Sequence, residues 1–144
     1  MIQKTIERLE ELVHLIPDQL SMMDEYSFSF KPGPEKWSKK EILGHLIDSA
    51  THNHHRFIRA QLEQAPAIWY DQDHWVDKSH YQNMDKELLI DFWTAYNRHL
   101  IHIIRHIKSE DLHKTCKMKN GAELTLEFLI GDYLEHLEHH LKQI

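Results

Sequence analysis

Apolar residues recur every three or four positions along four stretches of the chain, and no alternating run competes as a strand. The first stretch runs from about Ile2 to Met23, with Ile2, Ile6, Leu9, Val13, Ile16 and Leu20 on one face. Pro17 lies inside it and should kink the helix or end it early. The segment Ser27 to Lys36 contains Lys-Pro-Gly-Pro-Glu-Lys and reads as a loop. A second helix starts at Ser38. Glu41 stands three residues later, as a capping box requires, and Trp37 sits where a hydrophobic staple begins. Its inner face carries Ile42, Leu46, Ala50, Asn53 and Phe57, and it can run to about Glu63.

A long aromatic connection follows, from Ala65 to Met84. Connections of this length in a compact domain are usually functional or packed by their own side chains. The third helix extends from near Asp85 to Ile107, with Leu89, Phe92, Trp93, Tyr96, Leu100, Ile103, Ile104 and Ile107 inward. Lys108 to Gly121 is a second linker. The fourth helix runs from about Leu124 to the last residue, with Leu126, Leu129, Tyr133, Leu137, Leu141 and Ile144 as its apolar set. Four amphipathic helices without a sheet predict an all-α four-helix bundle, one domain over 1–144, with long connections between helices 2 and 3 and between 3 and 4.

A chain of 144 residues can bury a core without staples. Its single cysteine, Cys116, rules out an internal disulfide and reads as an ordinary, partly buried thiol. The net charge of −6 gives no basic face for nucleic acid. No stretch approaches the ~20 apolar residues of a spanning helix. The amphipathic start, with Glu7, Glu10 and Glu11, is unlike a signal peptide, so a cytoplasmic location is expected.

Fourteen histidines are the oddity of the composition. On the fourth helix, with His136 set at zero, the apolar set falls at about +20° to +100° and His140 at about +40°. His139 falls at about −60°, beside Glu135 and Glu138. His136 and His140 therefore face the core, one turn apart, a spacing that lets two imidazoles share one ion. His45, at the inner edge of the second helix, is the candidate third ligand. Three neutral imidazoles leave a coordination position open, which is a catalytic layout and not a closed structural one. Asp48, one turn after His45, is a candidate acceptor to orient an imidazole. His52, His54 and His55 are expected to be mostly solvated or capping. His99, His102 and His106 form a polar stripe with little claim to a second site. No phosphate loop, nucleophile elbow or cysteine–histidine pair is present.

Four stretches carry a family resemblance: Lys36–Glu63 with its Trp-Ser…His-Leu-x-Asp-Ser…Arg-Phe pattern, Pro66–Trp75, the helix around Phe-Trp-Thr-Ala-Tyr-Asn-Arg-His-Leu, and Tyr133–Ile144. The chain resembles the DinB-like superfamily, and within it the YfiT-like group of metal-dependent hydrolases and bacillithiol S-transferases. The resemblance implies a four-helix bundle and a divalent metal ion, zinc or nickel, on His45, His136 and His140. It implies a small-molecule substrate, a low-molecular-weight thiol as cosubstrate, and a homodimer. The expected activity is a metal-dependent transferase or hydrolase, with the electrophile walled by Trp69, Tyr70 and Trp75, and Asp48 and Tyr70 as acid–base candidates. A non-catalytic metal-binding or stress-response module is the alternative. The likeness departs at Lys142-Gln143-Ile144, where related thiol transferases often carry histidine before isoleucine. The aromatic connection is also slightly shorter between Ile68 and Tyr70.

Overall fold

Pro17 does not break the first helix. In the computed structural model, which describes residues 1–144, α1 runs without interruption from Ile2 to Ser21. Leu20, beyond the proline, is almost completely buried, and packing of that last turn offsets the proline's cost of about 3 kcal/mol. A short α2 (Glu25–Ser29), capped by the Asp24 carboxylate, occupies the start of the expected loop.

The longest helix, α3 (Lys39–Leu62), starts where the sequence marks it. Ser38 Oγ accepts from the Glu41 amide, and the Glu41 carboxylate accepts from the Ser38 amide. From Ile42 to Ala50 every residue of α3 is buried, which makes it the central element. The aromatic connection is not a plain loop. It holds α4 (Gln72–Ser79) and a 3₁₀ turn at Tyr81–Asn83. Then come α5 (Lys86–His106) and, at the end, α6 (Leu126–Leu141). α1 packs on α5, α5 on α3, α3 on α6 and α6 on α1, closing a four-helix ring.

The face of α5 is turned relative to the sequence reading. Phe92 is 44% exposed, while Ile90, Asn97 and Ile101 are buried. Tyr133 explains the polar member of that set. Its hydroxyl donates to Asn97 Oδ1 at 2.6 Å inside the core, so each buried polar group meets the other's need.

The second linker also departs from expectation. It folds into a hairpin, β1 (Thr115–Lys117) against β2 (Glu123–Thr125), antiparallel with Cys116 opposite Leu124. Three-residue strands are too short for a period of two to declare itself, but the Asn120-Gly121 pair is a strong hairpin signal. Gly121 has φ +86, a conformation that glycine adopts without strain. Pro66 and Ile68 bond to Lys117, tying the two long connections together. β2 leads straight into α6, which therefore starts at Leu126, with Thr125 Oγ1 accepting from the Phe128 amide. Cys116 is fully buried, not partly, and burial pushes its thiol pKa up, which leaves it unreactive.

Candidate metal centre

α3 and α6 bring His45, His136 and His140 together. The Nε2 atoms of His45 and His136 are 3.1 Å apart. Ring centroids are 5.0 Å apart for His45–His136, 4.7 Å for His45–His140 and 4.5 Å for His136–His140, each pair near-perpendicular. One ligating atom from each ring lies within 4.8 Å of the others. No other three metal-ligating side chains converge in this way, and the stripe of His99, His102 and His106 does not close into a comparable group.

The electrostatics suit a ligand set. His45 is fully buried, and desolvation, with His136 and His140 beside it, lowers its pKa to about 3. Desolvation also lowers His136, to about 4, with His140 and His139 adding to the effect. Both rings are therefore neutral at pH 7, the form that offers a lone pair. The separation fits as well. Two nitrogens bound to one tetrahedral ion at about 2.05 Å stand about 3.3 Å apart, close to the observed contact. The remaining ring nitrogens differ. His140 Nδ1 is 2.9 Å from Gln143 Oε1, His136 Nδ1 is 3.4 Å from Ser49 Oγ, and His45 Nδ1 has no partner.

Asp48 does not orient an imidazole through its carboxylate, contrary to expectation. Its Oδ1 accepts from the Tyr81 hydroxyl at 2.5 Å, and its Oδ2 is buried without a partner. Burial raises its pKa to about 6, and the Tyr81 bond pulls weakly the other way. Tyr81 went unnoticed in the sequence. Its ring lies so close to the α3 backbone that a Cβ on residue 44 would stand 2.1 Å from it, so Gly44 is what admits it.

Tyr70 stacks on His52 with centroids 3.8 Å apart, and Trp75 meets the same ring edge-on at 4.4 Å. His52 and His54 are thus packed groups, not solvated ones. His52 Nδ1 bonds the Asp48 carbonyl, and His54 Nδ1 meets the Tyr96 hydroxyl at 2.9 Å. Burial raises the Tyr70 pKa to about 12. A cleft of about 410 Å³ is lined by Glu35, Lys36, Trp37, Ile42, Gln72, Asp73 and Gln143, and reaches the histidines through Trp37 and Gln143. The expected Trp69, Tyr70 and Trp75 are not among the residues lining this cleft. Trp37 joins cleft to centre, its ring 4.9 Å from that of His45.

A helical bundle with three converging imidazoles and a flanking cleft has the layout of a metal-binding protein with room for a ligand. Across residues 1–144 the chain matches the family model of the DinB superfamily, and it belongs to that family. Among its relatives is a protein of Oceanobacillus iheyensis named "Putative metal-dependent hydrolase", 24% identical over 147 residues, covering all of this chain and 84% of the relative. One of the same name from Bacillus cereus strain G9842 is 24% identical over 149 residues, covering all of this chain and 83% of the relative. Among solved structures, YfiT from Bacillus subtilis, described as "a probable metal-dependent hydrolase with an unusual four-helix bundle topology", superposes with a TM-score of 0.87 at 21% identity, covering 96% of this chain and 81% of that one. A mycothiol-dependent maleylpyruvate isomerase superposes at 0.78 with 10% identity, covering 98% of this chain and 60% of that one. These superpositions establish the DinB-like bundle. No helix is long and apolar enough to cross a membrane.

Proposed function

We propose that this protein is a metal-dependent transferase or hydrolase acting on a small molecule, with His45, His136 and His140 holding one divalent ion, zinc or nickel. The observation that carries the reading is the part-buried 3.1 Å approach of two neutral imidazole Nε2 atoms, with a third ring beside both. When bound, the ion would supply Lewis acidity that draws the proton of a water or low-molecular-weight thiol into the titration range near neutrality.

The chain's own groups do the rest. Burial keeps His45 and His136 unprotonated, so their lone pairs stay available at pH 7. The Asp48 carboxyl, raised to about 6, is mostly ionised at pH 7 but far more basic than an ordinary carboxylate, which suits a proton acceptor. Tyr70, raised to about 12, keeps its proton and serves as a donor. The cleft beside Trp37 and Gln143 receives the substrate, with Glu35, Lys36 and Asp73 offering both signs of charge at its rim. The naming of relatives as metal-dependent hydrolases and the mycothiol dependence of a structural neighbour support a small-molecule reaction with a thiol.

The test uses tag-free protein. Bound metal is measured, and thiol loss is then followed with an electrophile such as monochlorobimane before and after chelation. About one ion per chain together with metal-dependent thiol consumption supports the enzyme. Metal without turnover against a panel of thiols and water favours the non-catalytic module.

A further inference from the structure

An imidazole that ligates through Nε2 carries its proton on Nδ1, and that proton needs an acceptor. The three histidines are served unequally. His45 Nδ1 has no partner, and His136 Nδ1 has only a long approach to Ser49 Oγ at 3.4 Å. His140 Nδ1 alone has a short one, 2.9 Å to Gln143 Oε1.

The backbone puts Gln143 there. Gln143 donates its amide to the His140 carbonyl at 2.9 Å, and Ile144 donates to that of Leu141 at 3.2 Å. The coil thus continues past the end of α6, and residue 143 falls on the same face as the ring three positions before it. A carboxamide offers an oxygen acceptor or a nitrogen donor according to its rotamer. Only the oxygen-inward rotamer puts the proton on Nδ1 and leaves the His140 Nε2 lone pair free to ligate.

We propose that Gln143 is the positioning residue of the centre: its carboxamide oxygen locks His140 in the Nδ1–H tautomer and turns Nε2 toward His45 and His136. This rests on the three-histidine reading. Removing a partner of this kind typically costs 10–100-fold in metal affinity. Water reaches Gln143, which sets the expected loss at the lower end, about tenfold.

The experiment titrates Co²⁺ into metal-free wild type and the variants Gln143→Leu, Gln143→Glu, Lys142→Leu and His136→Ala. Long-range ¹H–¹⁵N spectra of the imidazoles report the His140 tautomer without metal. Gln143→Leu should bind Co²⁺ about tenfold more weakly and show mixed His140 tautomers. Gln143→Glu should bind at least as tightly as wild type with the Nδ1–H form kept, and Lys142→Leu should change neither. Wild-type affinity and an unchanged tautomer in Gln143→Leu overturn the proposal while leaving the centre intact. Equal, weak Co²⁺ binding by wild type and His136→Ala overturns the centre itself, and this inference with it.

Discussion

His45 and His136 are 91 positions apart in the chain, yet their Nε2 atoms are 3.1 Å apart, His45 buried and His136 half-buried. Two neutral imidazoles can make that contact only if one turns an N–H toward the other; an ion between them uses both lone pairs instead. His136→Ala should therefore cut bound metal from about one ion per chain to a small fraction, and His45→Ala should do the same. Metal analysis of gel-filtered protein reads the stoichiometry, and circular dichroism confirms that the helices persist. Full occupancy in either variant places the ion elsewhere.

The same pair gives the metal-free protein an acid sensitivity. Their folded pKa values, about 3 for His45 and about 4 for His136, lie below the unfolded value of about 6.5. Between these limits the unfolded chain binds more protons than the folded one, so the stabilising contribution is complete above about pH 6.5 and is lost as the pH falls. Each group costs on the order of 1.4 kcal/mol per unit within that window. Urea midpoints of chelated protein should fall from pH 7 to pH 5, and the fall should be shallower in a His45→Leu, His136→Leu double variant. Equal slopes in the two proteins would rule this account out.

The bundle was legible because its cause is local. The 3.6-residue period, the Ser38–Glu41 box and the inward angle of His136 and His140 are all written in adjacent residues. The partner of the pair was legible only in part: periodicity put His45 at an inner edge, and family resemblance joined it to α6. What escaped was set by tertiary contact. The hairpin's three-residue strands show no period, and the rotation of α5 depends on Asn97 meeting Tyr133. The Asp48–Tyr81 bond depends on a glycine on α3 that has no local reason to be one. The cleft depends on Trp37 and Gln143, far apart in the chain, lining one space at two helix ends, which no single segment specifies.

Asp48 should reveal its environment through an Asp48→Asn exchange. Its folded pKa of about 6 lies above the unfolded value near 3.9, so its stabilising contribution is present at low pH and lost as pH rises through 6. Its sign opposes that of the histidines. Asparagine keeps an oxygen for the Tyr81 hydroxyl and carries no charge to desolvate. The variant should be more stable than wild type at pH 8, by on the order of 1–3 kcal/mol, with the gain vanishing near pH 4. If Asp48 also takes a proton in the reaction, turnover falls while metal content stays unchanged. A destabilised variant at pH 8 would mean that the ionised carboxylate is paired in the fold.

Gly44 tests whether Tyr81 is wedged against α3 by necessity. A methyl at residue 44 stands 2.1 Å from the Tyr81 ring, far inside contact distance, so the ring must leave or the 3₁₀ turn must shift. Alanine is otherwise the better helix former, by about 1 kcal/mol, so helix propensity alone predicts that Gly44→Ala stabilises. The clash should win, with a net loss of about 1–3 kcal/mol in chemical denaturation. Tyr81→Phe separates packing from the hydrogen bond. It keeps the ring but leaves both Asp48 oxygens without a partner, which should move the Asp48 titration further up and cost about 1–3 kcal/mol at pH 8. A stabilised Gly44→Ala protein with the Asp48 titration unmoved would mean that the ring does not lie against the helix in solution.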